Sequence, residues 1–135
     1  MSTSTVTYVG DLRTKATHSK SGSSIQTDAP TDNHGKGQNF SPTDLLATSL
    51  ASCMLTIMGI SAQKHQIDVG RPEAEILKVM DSTPRRVKEI QIHIRFPQSK
   101  LDKKSRSILE KAALTCPVAL SLSPNLKQNV SFKYE

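Results

Sequence analysis

A chain of 135 residues with 36% hydrophobic content is long enough to bury a core, and we read residues 1–135 as a single domain. It holds no run of about 18 to 20 consecutive apolar residues, and Met1-Ser-Thr-Ser-Thr lacks the basic and apolar regions of a secretory leader, so a cytoplasmic protein without a membrane partner is expected. The net charge of +6 raises nucleic acid as a partner, with half of the 18 basic residues between Arg85 and Lys111; yet three Phe, two Tyr and no Trp make no stacking platform, so a solvated face is preferred and nucleic acid is not expected.

Thr5 to Thr17 alternates moderately and carries β-formers such as Val6 and Tyr8, which predicts a strand. Ser21-Gly22 signals a turn, after which Ser23 to Thr27 can pair back as a short second strand. Asp28 to Asn39 holds Pro30, Gly35, Gly37 and several Asx residues, and reads as a long loop of the kind that is often functional. A helix from Pro42 to about Lys64 follows, with Ser41 as N-cap, Pro42 in the first position and Asp44 as the acid of a capping box. The densest apolar block, Leu45 to Ile60, covers nearly every face of that helix, which predicts a buried helix. The small residues Ala47, Ser49, Ala51, Ser52 and Gly59 would let neighbours approach it closely. One such helix in a polar chain suggests a core completed by a second subunit.

Ile67 to Met80 and Val87 to Phe96 read as long strands about a Pro84-Arg85 turn, the second with Ile90, Ile92, Ile94 and Phe96 alternating against Gln91, His93 and Arg95. Ser99 and Asp102 suggest another capping box before a helix that places Leu101, Ser105, Ile108, Leu109, Ala112 and Cys116 on one face. Pro117 breaks it and can start a short turn over Val118 to Leu122, and Val130 to Tyr134 closes the chain as a strand. The order ββ-α-ββ-α-β is that of an α+β fold.

Cys53 and Cys116 are the two cysteines. Cys53, bracketed by Leu46, Leu50, Met54 and Ile57, reads either as a small buried hydrophobe or as a reactive thiol. Burial disfavours its thiolate, so reactivity would need a cation from another segment. Cys116, in Thr-Cys-Pro, either packs and caps, or has its thiolate stabilised by the N–H groups of a helix start. Periodicity leaves open whether the two meet within the roughly 5.5 to 6 Å between Cα atoms that a disulfide needs. His18, His34, His65 and His93 are scattered and no C-x-x-C or H-x-x-x-H occurs, so no metal or cofactor is expected; the G-x-S-x-G setting of a serine hydrolase is missing too.

Phe40-Ser-Pro-Thr-Asp-Leu-Leu-Ala-Thr-Ser-Leu-Ala-Ser-Cys53 resembles the helix motif of the OsmC/Ohr family, the osmotically inducible and organic-hydroperoxide-resistance proteins. Cys116-Pro-Val-Ala is similar to the family's second motif, and the separation of 63 residues between the cysteines is also similar. Thr27-Asp-Ala-Pro-Thr-Asp-Asn-His-Gly-Lys-Gly looks like an OsmC-like subgroup. The resemblance implies an intertwined homodimer with a long central helix flanked by antiparallel sheets. It implies a peroxidase reducing hydroperoxides, organic ones above all, with Cys53 forming a sulfenic acid and Cys116 closing a disulfide that a lipoyl or thioredoxin-like dithiol reopens.

The resemblance also implies an arginine beside the first cysteine. Arg13, in Gly10-Asp-Leu-Arg, is the candidate, ahead of Arg85, Arg86 and Arg95. One position departs from the hydroperoxide-resistance branch, which carries a glutamate ten residues before its first cysteine where this chain has Thr43. Asp44 is turned roughly opposite Cys53 at about 100° per residue and reads as a cap. The departure leaves a stress-associated binding dimer with little turnover as the alternative.

Overall fold

In the computed structural model, which describes residues 1–135, the segment expected as one strand over Thr5–Thr17 is two: β1 (Ser4–Gly10) and β2 (Arg13–His18). Asp11 and Leu12 make the turn between them with φ of 54° and 61°. That is the geometry of a tight hairpin whose twist matches its strands. Leucine is a poor residue for positive φ, so the turn carries no sequence signal. It is tied down instead: the Leu12 N–H donates to Tyr8 Oη at 3.3 Å and the Leu12 carbonyl accepts from Ala29 N–H at 3.0 Å.

The chain divides into two compact units, Met1–Leu46 and Ala47–Glu135. In the first, β3 (Ser24–Asp28) pairs antiparallel with β2, giving the sheet order β1-β2-β3. Register puts Val6, Ala16 and Ile25 side by side, next to Tyr8, Thr14 and Thr27, so one face of the sheet is the more apolar. Val6, Tyr8 and Ile25 nevertheless remain 61%, 64% and 51% exposed. The only buried residues of this unit are polar: Thr27, Asp28 and Ser41. The unit has no apolar core of its own.

The central helix α1 (Pro42–Lys64) begins as its sequence predicts. Ser41 Oγ accepts from Asp44 N–H at 3.0 Å, and an Asp44 carboxylate oxygen accepts from Ser41 N–H at 3.0 Å, a reciprocal capping box. Its 18-residue mean hydropathy reaches 1.8, so by length and composition alone it could cross a membrane, although no long unbroken apolar run is present. Scattered serines and threonines interrupt the run while lowering the average little.

The second unit is built on the sheet β4-β5-β6, with β4 (Glu73–Ser82), β5 (Arg85–Phe96) and β6 (Lys127–Tyr134). The alternation in β5 holds: Ile90, Ile92, Ile94 and Phe96 are all buried, each worth roughly 1.5 to 3 kcal/mol of apolar transfer. They pack in one core with Leu50, Met54 and Met58 of α1. Along α1 the buried positions Ala47, Leu50, Ala51, Met54, Met58 and Ala62 form a single stripe. Leu46, Ser49, Ser52, Thr56 and Ile60 lie exposed on other faces, so one chain buries only part of the helix. At Gly59 an added Cβ would meet nothing within 4 Å.

The α+β class and the expected order stand, with refinements. Not every strand pair is antiparallel: β5 and β6 run parallel, because α2 (Lys103–Leu114) and α3 (Pro117–Ser121) carry the chain across between them. β4 starts at Glu73 rather than Ile67, after Gln66 and Gly70 at φ of 56° and 69° have turned the chain. The capping box expected at Ser99 does not form. Asp102 is the N-cap of α2 and accepts from Ser105 N–H at 2.8 Å, since an aspartate immediately before the first turn reaches that donor directly.

Candidate active site

Each unit holds one part of the sequence-predicted site. In the second, Cys53 sits in the middle of α1, half-buried and packed against the core. Cys116 lies between α2 and α3, fully buried at 0% exposure, as the N-cap of α3. Its Sγ accepts from Ala119 N–H at 3.4 Å. The two thiols, 63 positions apart in sequence, lie near enough for Cys53 to act on the ionisation of Cys116, and neither is in a disulfide.

Burial is the main influence on Cys116 and pushes its thiol up from the ordinary value of 9.0. The Ala119 N–H favours the thiolate but is outweighed, and the neighbouring Cys53 adds to the upward push. Cys116 is therefore a protonated, solvent-shielded thiol at neutral pH, while Cys53 is the one that solvent can reach. Three open concavities of this unit lie elsewhere and are lined by neither cysteine. No group of three or more His, Cys, Asp or Glu side chains converges as metal ligands would.

In the first unit Arg13 opens β2, straight after the strained turn, and stands in register opposite Asp28 at the end of β3. Its Nε donates to Asp28 Oδ1 at 2.5 Å and its Nη2 to Asp28 Oδ2 at 3.4 Å. Asp28 is 1% exposed, so this is a shielded ion pair. The Arg13 guanidinium, with backbone N–H groups of Gln38 and Asn39, holds the carboxyl below its ordinary value of 3.8, and Asp28 raises Arg13 in return. Arg86 and Arg95, by contrast, are engaged in surface pairs with Asp81 at 3.9 Å and with Glu73 and Glu135 at 3.2 and 3.3 Å.

Asp28 and Gln38 went unnoticed in the sequence because both sit in the loop signal around Pro30, Gly35 and Gly37. Only the hairpin register brings Asp28 opposite Arg13. Thr43, at the position of the family glutamate, stays in the helix cap, with its hydroxyl 3.2 Å from Ser41 Oγ.

No curated protein matches the chain in sequence. Among solved structures it is similar to a protein of Psychrobacter arcticus 273-4, provisionally named an osmotic stress induced and detoxification response protein. The two are 57% identical at a TM-score of 0.93, over 98% of this chain and 96% of that one. It also shares its fold with an organic hydroperoxide resistance protein OsmC of Legionella pneumophila, at 16% identity and a TM-score of 0.76 over 98% of each chain. An organic hydroperoxide resistance protein of Elizabethkingia anophelis matches at 15% identity and a TM-score of 0.70, over 100% of this chain and 98% of that one. The OsmC-like protein model matches residues 35–131, which span both cysteines and the helix between Ser41 and His65, and the chain belongs to the OsmC-like family.

Proposed function

We propose that the protein is a thiol peroxidase that reduces hydroperoxides, organic ones preferentially, through Cys53 and Cys116. The observation that carries this reading is a pair of unbridged thiols brought near each other, one reachable and one sealed in the core. The Cys53 thiolate attacks one peroxide oxygen: an S–O bond forms, the O–O bond breaks, and the other oxygen leaves as an alcohol or water after taking a proton. Cys116 sulfur then displaces hydroxide from the Cys53 sulfenic acid, closing a disulfide and releasing water. A dithiol of the lipoyl or thioredoxin-like class returns two electrons and reopens it. Arg13 supplies the positive charge that keeps Cys53 ionised and draws electron density off the peroxide. Its support is the family resemblance, together with a guanidinium already fixed in place by Asp28.

The working unit in this reading is an intertwined homodimer. A three-stranded sheet with uncovered Val6, Tyr8 and Ile25 and no apolar core cannot be stable alone, and α1 leaves apolar and small residues open. A second copy of the same chain offers the complementary surfaces. The alternative, a stress-associated binding dimer with little turnover, is favoured by Thr43 in place of the family glutamate.

Counting free thiols after mixing reduced protein with cumene hydroperoxide or hydrogen peroxide separates the two. Rapid loss of both thiols, abolished by Cys53→Ser, is the expected result, and Cys116→Ser should leave a sulfenic or over-oxidised Cys53. Slow loss that ignores Cys53→Ser would point to the binding dimer.

A further inference from the structure

Arg13 has five N–H donors in a planar fork, and the Asp28 carboxylate holds only its Nε–Nη2 edge, the second contact long at 3.4 Å. Here it is gripped twice. Besides Asp28, Arg13 Nη2 donates a short hydrogen bond to the side-chain oxygen of Gln38. Nε and Nη2 are thereby committed, and Nη1 alone is left without a partner.

Gln38 reaches that position through the loop 29–39, which is folded on itself rather than loose. Ala29 N–H donates to Leu12 O at 3.0 Å, Asn33 and Gly35 N–H both to Pro30 O at 2.9 Å, and Gly37 N–H to Ala29 O at 3.2 Å. The Gln38 N–H then donates to Asp28 Oδ2 at 2.9 Å, so one residue holds both the carboxylate and the guanidinium. Glycine is required at 35, where an added Cβ would lie 1.7 Å from Ala29 O.

We infer that Gln38 is a positioning residue for the peroxidase reaction: together with Asp28 it fixes the Arg13 guanidinium on which the proposed reaction relies. The assignment rests on the proposed role of Arg13 above. A neutral acceptor suits the task. A second carboxylate at this place would add a net negative charge beside Arg13, which disfavours a nearby thiolate, whereas an amide oxygen restrains Arg13 without adding charge. The long polar loop thus acquires a purpose in setting an arginine, while Thr43 stays in the helix cap.

Gln38→Leu removes the acceptor at nearly constant size and unchanged charge, at an exposed position where folding is safe. The rates of peroxide consumption and of Cys53 alkylation by iodoacetamide are measured against pH for the wild type, Gln38→Leu and Arg13→Ala. We expect Gln38→Leu to slow peroxide consumption by about tenfold. The pH midpoint of Cys53 alkylation should move upward, with an unchanged thermal midpoint, and Gln38→Glu should move it upward as well. If Arg13→Ala slows both reactions while Gln38→Leu behaves as wild type, the positioning role of Gln38 is wrong and the peroxidase reading survives. If Arg13→Ala leaves Cys53 alkylation untouched, Arg13 does not serve the sulfur and the assignment of Gln38 falls with it.

Discussion

A carboxylate as shielded as Asp28 is tolerable only because every approach to it ends in a donor: Arg13 at its two oxygens, then the N–H groups of Gln38 and Asn39. These donors depress its pKa in the native state, so the unfolded chain takes up the proton more readily. The stability Asp28 confers is therefore present above the ordinary value of 3.8 and lost as pH falls through the lower native value. Asp28→Asn should be less stable than wild type near neutrality, and the difference in urea midpoint should shrink as acid is added across that range. A difference that stays constant with pH would mean that the pair contributes nothing through its ionisation. At the same scale the two cysteines differ in burial, Cys116 being sealed and Cys53 half-exposed, and in the proposed reaction the reachable thiol is the one that meets the oxidant first.

Among the elements, α1 shows how local chemistry and tertiary packing share the work. Its start is set by Ser41, Pro42 and Asp44, whose reciprocal bonds satisfy two backbone donors that no helix can satisfy internally. Ser41→Ala should cost about 1 kcal/mol in a chemical unfolding experiment, and a loss within error would show that the rest of the helix holds its first turn unaided. Its apolar stripe was readable as helical spacing, but which side faces the β4-β5-β6 sheet was not, because nearly every face carries apolar residues. The hairpin between β1 and β2 was hidden for the opposite reason: Asp11-Leu12 is an unfavourable pair for positive φ and is held there by the Tyr8 hydroxyl and by Ala29, which local patterning does not register. β5, with strict alternation in a fully buried face, was legible almost residue for residue.

For the molecule as a whole, the uneven spread of apolar residues is the main constraint. Residues Met1–Leu46 bury nothing apolar, so their folding must draw on a surface supplied from outside their own sheet. In the proposed homodimer that surface is shared with a second copy, and sedimentation should give twice the 14.8 kDa chain mass at every concentration where the protein is folded. Val6→Lys together with Ile25→Lys should dissociate or unfold it. A stable, folded species of one chain mass would end the interlocked reading.

The sequence alone determined what near neighbours decide: the helix with its cap, the alternating strand, the breaker at Pro117, the α+β order, and two motifs whose cysteines mark the family. What needed the tertiary structure were the meetings of residues far apart along the chain. Cys53 comes to lie near Cys116, Arg13 is answered by Asp28 and Gln38 instead of an acid on α1, and β6 lies parallel to β5. The physical reason is range: caps and periodicity act within a few residues of backbone geometry, whereas these contacts are fixed by how whole elements pack and close loops, which no local window of residues contains.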